Sequence, residues 1–262
     1  FLVMVFTLDG TAWSEKKLLK KMEGDEFYFG SEGKLYLSSS SIKGLSKDPN
    51  KFIYNLENKE EVEYKPNPAF DFGSLFHWYI LEPHLYKEQV FVDVDRRAGQ
   101  EWKEAVAEHG RVFLKKDKDK VEELAELFLS CGRISDLLKN STPEVPAVGT
   151  IDGICFRAKA DILGKGFIAD LKTTANLKWF KQDARKFGYA AQVYIYCHLF
   201  NVDYRNWAFI AVDKVTGEFG FFTISERFYL SGKEIVDRGI ANYKEIIAGK
   251  RDFEPFYIED VI

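Results

Sequence analysis

The chain has 262 residues, of which 46% are hydrophobic, 16% aromatic and 30% charged, with a formal net charge of −4. This length and apolar content support a substantial core and exclude a disordered chain. The negative balance excludes a globally basic nucleic-acid binder, so positive charge can act only where it clusters, as in Lys115–Lys120 and Lys178–Lys186.

The apolar start from Phe1 to Phe6 is too short to span a membrane and lacks the flank of a signal peptide. Met4 is a candidate natural start. Residues 1–37 read as an extension of unassigned role, and 38–262 as a single domain, because no linker or repeat divides them. The four serines at 38–41 predict an N-cap for a short helix that Asp48-Pro49 interrupts, and a second helix follows Pro49. Phe70 to Leu81 is apolar around much of its circumference and predicts a buried helix ended by Glu82-Pro83. Gly73 and His77, four apart, share one of its faces. Further helices are expected at Glu101–Glu108 and Lys118–Leu129.

From Glu144 onward the pattern turns strand-rich. Ala147–Thr150 and Ile154–Ala160 predict a hairpin around Asp152-Gly153, and a third strand runs from Gly166 to Leu171. Helices at Leu177–Phe187 and Tyr189–Phe200, two strands flanking Thr216-Gly217 and a helix from Glu226 to Ala248 complete the order. This succession implies an α/β domain around a central mixed sheet flanked by helices. Cys131, Cys155 and Cys197 lack any C-x-x-C spacing, which points away from zinc and disulfides and fits a reducing cytosol.

The sharpest chemical pattern is Asp161, eight intervening residues, Asp170, one residue, Lys172. With Asp161 ending one strand and Asp170 on the next, both carboxylates converge at one end of the sheet. Period-two alternation puts Lys172 on the same face as Asp170. Two carboxylates beside an ammonium suit Mg²⁺ and phosphodiester hydrolysis. An isolated pattern of this kind also fits a hairpin with a surface ion pair. The apolar neighbours Leu163, Phe167, Ile168 and Leu171 favour the functional reading, because unpaired charge at a core margin is costly.

The segment D-I-L-G-K-G-F-I-A-D-L-K resembles the PD-(D/E)XK nuclease motif in the form carried by RecE-type phage and prophage exonucleases, which are related to lambda exonuclease and RecB-type nuclease domains. Further phrases resemble that family in the same order. These are the serine-rich run ending at Asp48-Pro49, the Gly73-x-x-x-His77 helix through Glu82-Pro83, Gly99-Gln-Glu-Trp102, and Gly188-Tyr189 with Gln192-x-x-x-Tyr196. Gln100 departs from the family's commoner lysine.

The resemblance implies a PD-(D/E)XK fold with Asp161, Asp170, Lys172, Glu144, Gln192 and Tyr196 as catalytic residues. It implies a metal held by His77, Asp161, Asp170 and the Leu171 backbone carbonyl, with Mg²⁺ as the ion and Mn²⁺ as a substitute. Ser39 or Ser40 would hold a 5′ phosphate, with plain N-capping as the alternative. Lys178, Lys181, Arg185 and Lys186 would meet the DNA backbone. The implied activity is degradation of linear double-stranded DNA ends from 5′ to 3′, leaving 3′ tails. The implied partners are a single-strand annealing protein and further copies of this chain in a trimer or tetramer, in the cytoplasm of a bacterial or phage-infected cell and away from membranes. Two rivals stand beside this reading: a catalytically silent DNA-binding subunit, and a RecB-like or CRISPR-associated nuclease acting on single strands. The second usually carries four cluster-binding cysteines, and this chain has three.

Overall fold

A computed structural model describes residues 4–7, 10–57 and 68–249. The chain opens with a hairpin, β1 (Met4–Phe6) and β2 (Ala12–Ser14), then α1 (Glu15–Met22) and α2 (Asp25–Phe29). Four helices follow: α3 (Ser39–Lys47), α4 (Pro49–Glu57), α5 (Pro68–Leu81) and α6 (Pro83–Lys87). A two-strand parallel pair, β3 (Phe91–Val92) and β4 (Phe113–Leu114), encloses α7 (Gln100–His109). Helices α8 (Lys115–Ser130) and α9 (Gly132–Lys139) lead into the main sheet.

That sheet contains β5 (Ser141–Ile151), β6 (Ile154–Gly164) and β7 (Phe167–Thr174). The chain then crosses through α10 (Phe180–Lys186) and α11 (Tyr189–Phe200) to β8 (Trp207–Asp213) and β9 (Phe219–Thr223), and α12 (Glu226–Ile247) follows. Spatial order equals chain order. The β7–β8 pair is parallel and the others antiparallel, so the sheet is mixed, as predicted. The crossover helices are what a parallel pair requires.

Local chemistry accounts for many boundaries. Asp152 and Gly153 both take positive φ, 51° and 78°, as a two-residue type I′ hairpin turn demands. Pro49 and Pro83 open α4 and α6, where a missing N–H costs nothing. Strand β5 starts at Ser141 rather than at Ala147. Pro143 and Pro146 do not stop it, because β5 lies at the sheet edge, where a strand can lack donors on its open side. The predicted helix at 177–187 is divided into a 3₁₀ turn, Leu177–Trp179, and α10.

Helices cover both faces. Beneath α3, α11 and α12 lie Ala158, Ala160, Ile168, Phe209 and Ala211; beneath α5, α8 and α9 lie Ile162, Ala169, Leu171, Ile210 and Val212. Residues 4–37 pack Leu18, Met22, Tyr28 and Tyr36 against Val148 and Cys155 of the β5–β6 hairpin. Helix α12 approaches its neighbours closely at Gly232 and Gly239. A Cβ at Gly232 would stand 2.0 Å from the Ala190 carbonyl oxygen, and one at Gly239 2.7 Å from Ile42 Cγ1. Among the described residues no helix is long and apolar enough to cross a membrane.

Two departures from regular pairing shape the middle of the sheet. Strands β6 and β7 pair only over Ile162–Gly164 and Phe167–Ala169, then separate. The freed edge of β6 is taken by Leu37, whose N–H donates to Cys155 O and whose carbonyl accepts from Arg157 N. In addition, the β5–β6 ladder skips one facing pair, Glu144 and Asp161, although Pro143↔Ile162 and Val145↔Ala160 pair on either side. Glu144 there has φ 53°, a left-handed conformation disfavoured for a side chain of its kind. Side-chain alternation in β6 slips at the same place: Ala158 and Ala160 face α11, whereas Ile162 faces the α5 side.

Candidate active site

The splitting of β6 from β7 opens a cleft of about 960 Å³, and every member of the Asp161, Asp170, Lys172 pattern lies at that split. Asp161 does not end its strand as expected, since β6 continues to Gly164. It sits where pairing with β7 stops, and its Oδ2 accepts the Leu171 N–H at 2.8 Å in place of the missing ladder partner. His77 reaches the same point from α5, its Nε2 lying 2.6 Å from the Leu171 carbonyl oxygen. That carbonyl can only accept, so Nε2 donates to it, and Nδ1 faces Asp161 Oδ2, 3.7 Å away. Gly73, one turn earlier, lets α5 approach β7, because a Cβ there would meet Thr173 Oγ1 at 3.3 Å.

His77, Glu144 and Asp161 each offer a ligand atom, and these atoms lie within 4.8 Å of one another. One imidazole nitrogen and two carboxylates are a donor set suited to a divalent cation. A ligating histidine commonly donates its second N–H to a carbonyl, which is the arrangement His77 makes with Leu171. The residues therefore fit a divalent metal. The Leu171 carbonyl, expected as a ligand, here orients His77. Asp170, also expected as a ligand, lies outside the cluster of three: it is 1% exposed, its Oδ2 is 2.5 Å from Lys172 Nζ, and its Oδ1 accepts from Gln192 Nε2 at 2.5 Å.

Burial, reinforced by the facing Asp161, pushes the Glu144 carboxyl up to about 8. Burial and Asp161 likewise raise Asp170 to about 6. Burial opposes the Lys172 charge, but Asp170 and Asp161 outweigh it and hold the ammonium protonated. The shift at Glu144 has a defined sign. The native state holds a proton that the unfolded chain releases near 4.5, so this contribution to stability is present below 4.5 and declines as pH rises through 8. A cation at the site reverses the preference. Calorimetric titration of Mn²⁺ at pH 7, in two buffers of different ionisation enthalpy, is expected to show release of about one proton per ion. The release disappears at pH 9, where the carboxyl is already ionised before the ion binds.

Other predicted residues are distributed unevenly. Ser39 and Ser40 line the cleft at the start of α3, but Ser38 is the N-cap. Its hydroxyl accepts Ser41 N–H at 3.2 Å, and the Ser41 hydroxyl answers at the Ser38 N–H. Tyr196 lines the cleft from α11, one turn beyond Gln192, with its ring against Trp207. The basic group following β7 is placed elsewhere. Lys178, Lys181, Arg185 and Lys186 are exposed and none lines the cleft; Lys181 and Arg185 face a second hollow beside Phe222 and Phe228. Phe180, Asp183 and Phe187 are the residues of this segment that line the cleft, because α10 turns its 180/183/187 side toward it.

Several cleft residues escaped the sequence reading. Lys159, 7% exposed, contacts Asp25 Oδ1 at 2.7 Å, Glu144 Oε2 at 3.3 Å and Glu82 Oε1 at 3.9 Å. Arg157, 6% exposed, lies over the Tyr28 ring at 4.8 Å, and its Nε has no hydrogen-bond acceptor. Lys43 lies beside the cleft without lining it, 5.8 Å from the Tyr189 ring centroid, its pKa lowered by burial and by Lys172. Arg111 and Lys214 complete the basic lining. A signal for the first two was available: Arg157-Ala-Lys159-Ala-Asp161 alternates charge with alanine in a strand otherwise rich in apolar residues.

Residues 38–260 match the model of a family described as a PDDEXK-like domain of unknown function (DUF3799). The chain belongs to this PDDEXK-like family. Its five-stranded mixed sheet with flanking helices is the family's nuclease-type fold, and divalent-metal chemistry is typical of PDDEXK nucleases. The crystal structure of a "putative exonuclease" from Eubacterium rectale superposes with a TM-score of 0.64 at 17% identity, over 87% of this chain and 88% of that one, which shows a shared fold. The structure of SSO0001 aligns with a TM-score of 0.32 at 17% identity, over 65% and 85% of the two chains, below the level at which a common fold follows. No curated protein matches the sequence.

Proposed function

We propose that this protein is a metal-dependent exodeoxyribonuclease of RecE type that hydrolyses linear double-stranded DNA from 5′ ends and leaves 3′ single-stranded tails. The observation that carries the reading is the cleft at the β6–β7 split, where the His77, Glu144 and Asp161 donors stand beside the Lys172–Asp170 pair. His77, Glu144 and Asp161 would hold the ion, Mg²⁺ by preference with Mn²⁺ as substitute. When bound, the ion supplies positive charge to phosphodiester oxygens and eases loss of a proton from water. Lys172 keeps its ammonium charged beside Asp170 and so orients water and offsets charge gathering on the phosphate. Gln192 fixes the Asp170 carboxylate from α11, which holds that pair in register.

The buried Arg157 guanidinium, unpaired with any carboxylate among the described residues, shares the cleft with Ser38, Ser39 and Ser40. Its unused Nε–H and the α3 N-terminus support phosphate binding by this wall. The 5′ polarity, assembly as a trimer or tetramer, an annealing-protein partner and a cytoplasmic site of action belong to the RecE-type reading.

The test is incubation of end-labelled linear duplex and closed-circular DNA with Mg²⁺ or EDTA. Metal-dependent loss of linear DNA alone, with 5′ label released first, is the expected result. Intact DNA across several divalent metals would instead favour a silent DNA-binding subunit.

A further inference from the structure

Residues 4–37 precede the family match, yet α2 builds part of the cleft wall: Asp25, Tyr28 and Phe29 all line it. Asp25 is the partner nearest to the Lys159 ammonium, at 2.7 Å, against 3.3 Å to Glu144 and 3.9 Å to Glu82. Lys159 thus stands between an N-terminal carboxylate and a carboxylate of the candidate metal cluster. At 7% exposure, deep in the cleft, its ammonium is largely withdrawn from bulk water, so its charge is satisfied mainly within this group.

We propose that Asp25 is a positioning residue for the metal site: it draws the Lys159 ammonium toward itself, at 2.7 Å against 3.3 Å to Glu144, and so weakens the hold of Lys159 on Glu144, which can then bind a cation. The proposal rests on the reading of His77, Glu144 and Asp161 as metal ligands. The Tyr28 ring, 6.0 Å from Lys159 Nζ and 4.8 Å from the Arg157 guanidinium, fills the space between these charges and limits where Lys159 can move. Removing the Asp25 carboxylate sends the ammonium onto Glu144, and an incoming cation must then displace it. The N-terminal segment is on this account a component of the site, acting through one buried lysine.

Mn²⁺ binding to the full chain without DNA, followed by electron paramagnetic resonance, tests this apart from activity. Asp25→Ala is expected to weaken Mn²⁺ binding by about tenfold, the scale of one lost charged hydrogen bond. Adding Lys159→Met to Asp25→Ala is expected to restore binding to the wild-type level or tighter, because the competing ammonium is gone. Thermal melts report folding of each variant, and Lys159→Gln replaces Lys159→Met where the latter does not fold. Unchanged binding in Asp25→Ala overturns the proposal. So does a loss that the second substitution does not rescue, since that is the behaviour of a merely structural contact. Wild-type protein that binds no Mn²⁺ removes the metal reading itself, and the proposal with it.

Discussion

On the proposed nuclease reading, Lys172→Met is expected to abolish DNA hydrolysis, a fall of about 10³-fold or more, because it removes the cation that would offset developing phosphate charge. The fold is expected to survive. Asp170 is left 1% exposed with only the Gln192 amide, but burial and Asp161 already raise its carboxyl to about 6, so it takes up a proton and becomes neutral. Mn²⁺ binding should also survive, since His77, Glu144 and Asp161 are untouched. His77→Ala is expected to lose metal binding and rate together. Metal titration beside single-turnover cleavage assays separates the two classes, and equal loss of metal binding in Lys172→Met would contradict this division of labour.

Gly232→Ala is expected to destabilise the protein by about 3 kcal/mol, at the upper end of overpacking costs, and to lower Tm by about 10 °C. The added Cβ would stand 2.0 Å from the Ala190 carbonyl oxygen and 2.5 Å from its carbon, backbone atoms that cannot rotate away. Helix α12 would have to lift from α11. Gly44→Ala is the control. It lies inside α3, where an added Cβ would meet nothing within 4 Å, so alanine there should stabilise by about 0.5–1 kcal/mol through helix propensity. Chemical denaturation of the two variants reads the difference directly, and similar midpoints would show that α12 can shift at little cost.

The site residues were unequally legible. Asp161, Asp170 and Lys172 lie on adjacent strands of one hairpin, so spacing and period-two alternation were enough to bring them near each other. His77, and Gln192 with Tyr196, were legible only through the resemblance of their phrases to a known family, the helical offsets adding that each pair shares a face. Glu144 was named only by its place upstream. That it faces Asp161 depends on a left-handed backbone at an edge-strand position, which no local propensity favours for glutamate. The basic run after β7 shows the converse. Lys178, Lys181, Arg185 and Lys186 are conspicuous in sequence, yet counting charges says nothing about which side of α10 meets the cleft.

From Glu144 onward the order of strands and helices, and throughout the chain the Asp152-Gly153 turn and the proline-marked helix starts, were determined by the sequence alone, because each follows from neighbours a few residues apart whose φ, ψ and periodicity are set locally; the elements of residues 4–37 and the β3–β4 pair were not legible in it. The split between β6 and β7, the use of Leu37 to fill the open edge, and the passage from Asp25 through Lys159 to Glu144 were decided only in the tertiary structure. Their partners lie more than a hundred residues apart in the chain in the case of Leu37 with Phe156 and of Asp25 with Lys159. Such contacts form because burial forces backbone groups and charges to find partners wherever the packed layers bring them, and that placement is a property of the whole fold.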